Sequence, residues 1–355
     1  MTRRQMIAIV GLWLLFMVRI WPIRLAGFVY EDATWNLHAR PFFGPRGLMS
    51  GLWWLQLRLG HSALAFHEVS IALFLGVVFA LAWLLRRLDH SPDTILIACG
   101  LVLLHPLTTE PLAYSAGRSD LIAALGVLSA CALAASPVWY RPMRLLGIIA
   151  ALALGFGGKE TAIVGLPLVG LTIWRLNVWR RAPAMLRDAV AVCVAIAFGW
   201  FVLHEAVSVP FSMLGESPGV ASSAWHWITV QAVATCAHVG QLILPIGISP
   251  VPDYDHLGAG AGLSVGAVCL WIVATCAICA ADAAYAAYAD APPPPTSRWL
   301  AYGPLWMLAV LAPRFYVRTP RSPLNDHQFL LVLIGAAVTL AAFIDDFRRW
   351  RQETP

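Results

Sequence analysis

Lysine is almost missing from this sequence: of its 24 basic residues, all but Lys159 are arginine. Charge of either sign is scarce. With 12% charged and 59% hydrophobic residues, a 355-residue chain cannot clothe itself in polar surface, which excludes an ordinary water-soluble enzyme. A disulfide framework is missing as well. The seven cysteines all fall in apolar runs, and Cys276-x-x-Cys279 on such a run reads as packing rather than metal ligation. No basic stripe suits nucleic acid, so the net charge of +5 reads as arginines of cytoplasmic loops. No small-residue cleavage site precedes Arg19, so the first apolar run is expected to stay as a helix.

What the sequence does hold is apolar runs, near 6–26, 68–85, 94–112, 119–137, 144–157, 161–174, 188–206, 225–248, 261–283, 299–313 and 328–344. They predict an all-α, polytopic helical membrane protein, a single integral membrane domain over 1–355 with about 10–11 transmembrane helices and short interfacial helices. With Arg3 and Arg4 inside, Arg86-Arg87, Arg141, Arg144 and the cluster Arg175, Arg180, Arg181 and Arg187 also fall inside. Arg348, Arg349 and Arg351 follow them if 225–248 is not one complete crossing, which leaves about ten crossings and both termini inside. The expected location is a bacterial inner membrane, and the bias toward Arg and Ala suggests a GC-rich genome. The expected external segments are a first loop at 27–67, a hairpin at 157–161, and further loops at 108–119, 207–224, 249–260 and 314–327.

Five stretches on that side carry chemistry. Tyr30-Glu31-Asp32 follows the first span and Asn36 lies just beyond; adjacent carboxylates near hydrocarbon suit a general base beside a divalent metal, or a plain acidic turn. His105-Pro106-Leu107-Thr108-Thr109-Glu110-Pro111 ends a span in free carbonyls beside His105 and Glu110. After it Arg118 and Asp120 open the next helix, where they are expected to pair or Asp120 to cap. Gly157-Gly158-Lys159-Glu160 offers a compact ammonium and exposed backbone N–H groups to a phosphate, or else an interfacial Lys159–Glu160 pair. Pro252-Asp253-Tyr254-Asp255 is the fourth. In the fifth, Arg314, Arg318 and Arg321 precede Asn325-Asp326-His327 against the topological bias, as an anionic headgroup or phosphate would require.

Taken in order, these stretches resemble the glycosyltransferase C superfamily, and most of all the membrane part of the transmembrane and tetratricopeptide-repeat O-mannosyltransferases. The matching pieces are Phe28 to Asn36, Arg46-Gly47-Leu48 through Phe66-His67-Glu68-Val69 to Arg86-Arg87, and His105-Pro106-x-x-Thr109-Glu110 with Gly117-Arg118-x-Asp120. Lys159-Glu160, Leu244-Pro245 to Asp253-Tyr254, and Asn325-Asp326-His327 complete the set. The resemblance covers nearly the whole chain without a repeat domain. It implies transfer of a sugar from a polyprenyl-phosphate donor to a protein, lipid or glycan acceptor on the periplasmic face. Asp32, Glu31 and Glu110 would be catalytic. Lys159, Arg318, Arg321 and His327 would bind the donor phosphate. Asn36, His105, Arg118, Asp120, Glu160, Asp253 and Asp326 would support them. Mg2+ or Mn2+ on Asp32 and Glu110 is one expectation, and transfer without metal the other.

This sequence departs from its relatives in Glu31-Asp32, where they carry two aspartates, and in Gln328, where they carry arginine. Two other readings stay open: a transporter or flippase for a lipid-linked sugar, with Arg19, His204 and Glu205 as in-span polar groups, and a non-catalytic homologue.

Overall fold

The computed structural model describes residues 2–28, 47–60, 62–136, 141–176, 224–246, 261–288, 295–316 and 329–353. Every regular element among them is helical. In chain order these are α1 (Arg3–Leu25), α2 (Gly47–Leu59), α3 (Ala63–Arg87), α4 (Pro92–Leu104), α5 (Thr109–Ala113), α6 (Arg118–Ala134), α7 (Arg141–Gly158), α8 (Gly165–Arg175), α9 (Ala224–Ile243), α10 (Ala261–Tyr288), α11 (Pro295–Tyr316) and α12 (Leu330–Glu353). Short 3-10 turns at Pro106–Thr108, Ser115–Gly117 and Glu160–Val164 link three of the joints.

Helix α1 opens with a reciprocal cap: Gln5 N donates to Thr2 Oγ1 and Thr2 N to Gln5 Oε1. Along it Ile7, Val10, Leu14, Val18, Trp21 and Leu25 recur at helical spacing, and all are exposed. In water such a stripe would drive aggregation, whereas against hydrocarbon it is at home. Among the described residues, four helical stretches are long and apolar enough to cross a membrane: Arg3–Leu25, Ala63–Arg87, Ser115–Ala134 and Leu330–Arg348. A fifth is the pair Pro92–Leu104 and Pro106–Ala113, bent by 61°. These are the elements of a membrane protein.

The middle of the bundle is α6. Of its 17 residues 15 are buried, because α3, α7 and α8 all pack on it and Ala, Gly and Cys hold much of its surface low. At its crossing with α7 a Cβ on Gly126 would stand 2.5 Å from the Ala151 carbonyl oxygen and 2.7 Å from Gly155 Cα. A second close crossing joins α11 to α12, where a Cβ on Gly303 would meet Thr339 and one on Gly335 would meet Trp306. Trp306 Nε1 donates to the Leu331 carbonyl across the same joint, 3.0 Å.

The two ends of the bundle differ. At one, Asp345 of α12 accepts from Ser91 Oγ (2.9 Å), Thr94 Oγ1 (2.6 Å) and the Ser91 N–H (3.3 Å), with His90 Nδ1 at 2.8 Å. Arg348 lies 4.0 Å from Asp93, which accepts from Gln5 Nε2 at 2.9 Å. The start of α1 and the end of α12 therefore share this end. It is presented by a tight stop to α3, in which Asp89 takes φ 61° and the His90 N–H returns to the Leu85 carbonyl, 3.1 Å. The opposite end holds Arg24, whose guanidinium pairs with Glu68 at 2.7 Å.

Some loop boundaries differ from expectation. The segment 27–67 contains α2 and the first turn of α3, because Ser62 caps Ala65 five residues before the apolar run becomes continuous. The segment 108–119 is folded into α5, a 3-10 turn and the start of α6; α11 runs on to Tyr316, so Arg314 belongs to a helix end. Most of 207–224 and all of 249–260 lie outside the described residues.

Gly126→Ala should lower thermal stability in detergent by about 1–3 kcal/mol, since the atoms its methyl meets are backbone and cannot yield. Gly170→Ala, in a helix with nothing within 4 Å of the new methyl, should leave stability equal or slightly higher. Equal melting of the two variants would contradict the close crossing.

Candidate functional site

The site is built around a broken helix. Proline at 106 has no N–H, so the helix cannot continue past Leu104 and the carbonyls of its last turn lose their donors. Each finds another. Thr108 Oγ1 donates to the His105 carbonyl (2.8 Å) and reaches the Val102 carbonyl (3.5 Å). The Leu103 carbonyl accepts from the Arg19 guanidinium of α1, which also donates to Thr109 Oγ1 at 2.9 Å. The Leu107 N–H, which a continuous helix would aim at Leu103, donates instead to His105 Nδ1, 3.2 Å. That bond puts the ring proton on Nε2, facing the Leu242 carbonyl of α9 at 3.4 Å. Both nitrogens of His105 are thus engaged in holding the break, which is a structural task.

Beyond the break, α5 carries Glu110 in its first turn, half-buried. The chain then folds back so tightly that a Cβ on Gly117 would lie 2.8 Å from Pro111 Cα. This delivers Arg118 and Asp120 to the start of α6.

Arg118 is fully buried. Its guanidinium donates to Gln56 Oε1 of α2 (2.6 Å), to Ser70 Oγ of α3 (2.9 Å) and to the Phe66 carbonyl, and stands 4.7 Å from the centre of the Phe66 ring. Phe66 meets Phe28 edge-on at 5.3 Å, and His67 Nε2 lies 3.2 Å from the Ala26 carbonyl. The strand of chain that leads into Glu31 and Asp32 is therefore seated on α3. Asp120 holds Lys159 with both carboxylate oxygens, at 2.9 and 2.7 Å, and both side chains are buried.

Several expectations are revised by this geometry. Lys159 is drawn into the bundle by Asp120 rather than standing on an exposed hairpin. The sequence suggests Arg118 with Asp120 and Lys159 with Glu160; the structure gives Arg118 bonds with α2 and α3 and Lys159 a bond with Asp120, while Glu160 opens a 3-10 turn. Gly157 and Gly158 are packing glycines. A Cβ on the first would press on Leu48 of α2 at 2.9 Å, and one on the second on Ile122 of α6 at 2.6 Å. Exposed backbone N–H groups for a ligand are not their purpose.

Glu31, Asp32, Asn36, Asp253, Arg318, Arg321, Asp326 and His327 lie outside the described residues. Where the last of these stretches rejoins the bundle, Phe329 is buried against Leu107 of the break, 5.0 Å from the His238 ring of α9. Among the described residues no group of three or more His, Cys, Asp or Glu gathers as a metal site, and of the expected pair only Glu110 is described. Gln56 and Ser70 were not foreseen. Gln56 had a signal, being the one amide in an otherwise apolar run, Gly47 to Leu57.

Breaking the buried pair should cost about 3–5 kcal/mol of stability, read as melting in detergent for Asp120→Asn. Replacing both partners, Asp120→Leu with Lys159→Met, should recover much of that loss. A double variant no better than the single one would show that the pair is not the coupled unit described. Comparison of the chain with protein-family models, with curated proteins and with solved structures returned no match.

Proposed function

We propose that the protein is a membrane glycosyltransferase that moves one sugar from a polyprenyl-phosphate donor to a hydroxyl of a protein, lipid or glycan acceptor. The observation that carries this reading is the convergence at the broken helix. Glu110, the buried Arg118, the Asp120–Lys159 pair, the Phe28 seat and the Phe329 seat all belong to one end of the bundle. Three residues lie between Phe28 and Asp32, a tether of at most about 14 Å. The two acids of the first external loop are thereby kept within reach of that end.

In this reading the chain has a glycosyltransferase C arrangement of about ten crossings. The shorter apolar helices, such as Pro142–Gly158 and Gly262–Ile278, supply the spans beyond the long ones. The end marked by Arg24 and Glu68 faces the periplasm of a bacterial inner membrane, and both termini face the cytoplasm.

The chemistry follows from the residue types. Asp32 or Glu31 takes the proton of the acceptor hydroxyl. The hydroxyl oxygen forms a bond to the anomeric carbon as that carbon's bond to the donor phosphate breaks, and polyprenyl phosphate leaves with the electron pair. Glu110 assists; were Mg2+ or Mn2+ bound, Glu110 and Asp32 would hold it and it would neutralise charge on the departing phosphate. Two N–H groups of Lys159 are given to Asp120, so a phosphate meets a neutralised pair there, and Arg318, Arg321 and His327 carry more of its recognition. Arg19, which an in-span charge of a flippase would have explained, is accounted for by the helix break.

The test is sugar transfer in reconstituted vesicles, followed as release of free polyprenyl phosphate. Asp32→Asn should abolish release while leaving expression unchanged. Undiminished release would remove Asp32 from the mechanism. A wild-type protein that moves donor across the vesicle membrane without consuming it would overturn the transferase reading in favour of a flippase.

A further inference from the structure

A guanidinium in the fifth turn of a membrane helix is costly, and such groups persist where they are tied to something the protein needs held. Arg19 is tied to both sides of the break between α4 and α5. On the α4 side it donates to the Leu103 carbonyl, the acceptor left over when the Leu107 N–H turns to His105. On the α5 side it donates at 2.9 Å to Thr109 Oγ1, the residue directly before Glu110. Its planar fork is stiff, so one side chain sets the distance between the last turn of one helix and the first of the next. The cation also sits at the C-terminal end of α4, where the helix dipole favours it.

Few other contacts fix that bend from α1. Thr108 closes the turn from within, and His105 ties it to α9 on the far side. Without the clamp α5 would still pack on α3, but the His105–Pro106 joint would lose its tie to α1 and the first turn, which carries Glu110, would be held less closely.

We infer that Arg19 is a positioning residue, which locks the 61° bend between α4 and α5 and so fixes where the Glu110 carboxylate stands. The inference rests on the transferase reading for its kinetic consequence and on geometry alone for its structural one. A displacement of about an ångström in a catalytic group lowers turnover on the order of a hundredfold. Loss of a purely structural cap would instead reduce the amount of folded protein and leave the turnover of what remains unchanged.

The experiment uses the full chain in lipid nanodiscs, with Arg19→Leu, Thr109→Val and the double variant. Two quantities are followed: steady-state transfer, and hydrogen exchange of the backbone amides of residues 107–113. Arg19→Leu should lower kcat on the order of a hundredfold with KM for the lipid donor unchanged. Thr109→Val, which removes one arm of the clamp, should lower it less. The double variant should be no slower than Arg19→Leu, because both changes break the same bond. Exchange should accelerate over 107–113 in Arg19→Leu and stay unchanged in α6 and α12. Losses that add in the double variant, a raised KM with kcat intact, or unaltered exchange over 107–113 would each overturn the inference. The exchange arm needs no sugar donor. If the wild-type protein transfers nothing, the transferase reading falls while exchange still decides whether Arg19 holds the bend.

Discussion

A cation enclosed by apolar helices has to be met on every side, and the way Arg118 is met determines the geometry of this protein at one end. Removing a guanidinium from water costs several kcal/mol unless hydrogen bonds and opposite charge replace the lost solvation. The replacements come from separate elements: an amide from α2, a hydroxyl and a main-chain carbonyl from α3, and the face of the Phe66 ring. None of these would be chosen for packing alone. Gln56 has to lie on the inner face of α2, so that short helix is held flat against α6 and α7 with Met49 and Trp53 beside it. The α3 helix has to begin early enough to offer the Phe66 carbonyl. One buried charge thus recruits α2 to the bundle, and the Phe66 it stands on also meets Phe28.

The second constraint is proline at 106. Breaking a helix inside a membrane frees main-chain carbonyls that lipid cannot satisfy. The protein answers with threonine from within the break and arginine from the neighbouring helix, and the result is a short helix turned across the end of the bundle. The break brings Glu110 there, in the first turn of that short helix. A straight helix would have carried residue 110 one and a half turns further out, away from Arg118 and Asp120.

Much of this was legible in the sequence, for reasons that can be named. Residues such as Ile7, Val10, Leu14 and Val18 repeat at helical spacing, and the helices follow from them. The pattern His105-Pro106 announces a break wherever it falls in an apolar run. What could not be read was pairing. Arg118 and Asp120 stand two apart, and Lys159 beside Glu160; adjacency in the chain suggested those partners. Side chains two apart on a helix point in different directions, so Arg118 turned to α2 and α3 while Asp120 turned to α7. Which of two nearby carboxylates a lysine meets is fixed by the α6–α7 crossing, and that crossing depends on Gly126 and Gly155, whose role is spatial. The glycines before Lys159 misled for the same reason. Glycine written beside a charged residue reads as a ligand cradle, yet Gly157 and Gly158 are small because Leu48 and Ile122 need the room.

The two ends of the bundle gather their polar groups in different ways. Around Asp345 the carboxylate accepts from two hydroxyls and a main-chain N–H, with an imidazole against it, all from a single turn between α3 and α4. Those groups are local to one another, and their geometry suits a latch that joins the end of α12 to the rest. At the other end the polar groups come from α1, α2, α3, α5, α6 and the segment after α7, elements far apart in sequence, gathered at a turn that no hydrogen-bond ladder continues. Gathering them requires a helix to be broken, a lysine to be buried and an arginine to be desolvated, each of which lowers stability on its own. A fold needs only one such latch to hold its ends together. In the transferase reading we propose, those destabilising features would serve a substrate that must be held in several directions at once, as a lipid-linked phosphate sugar must be.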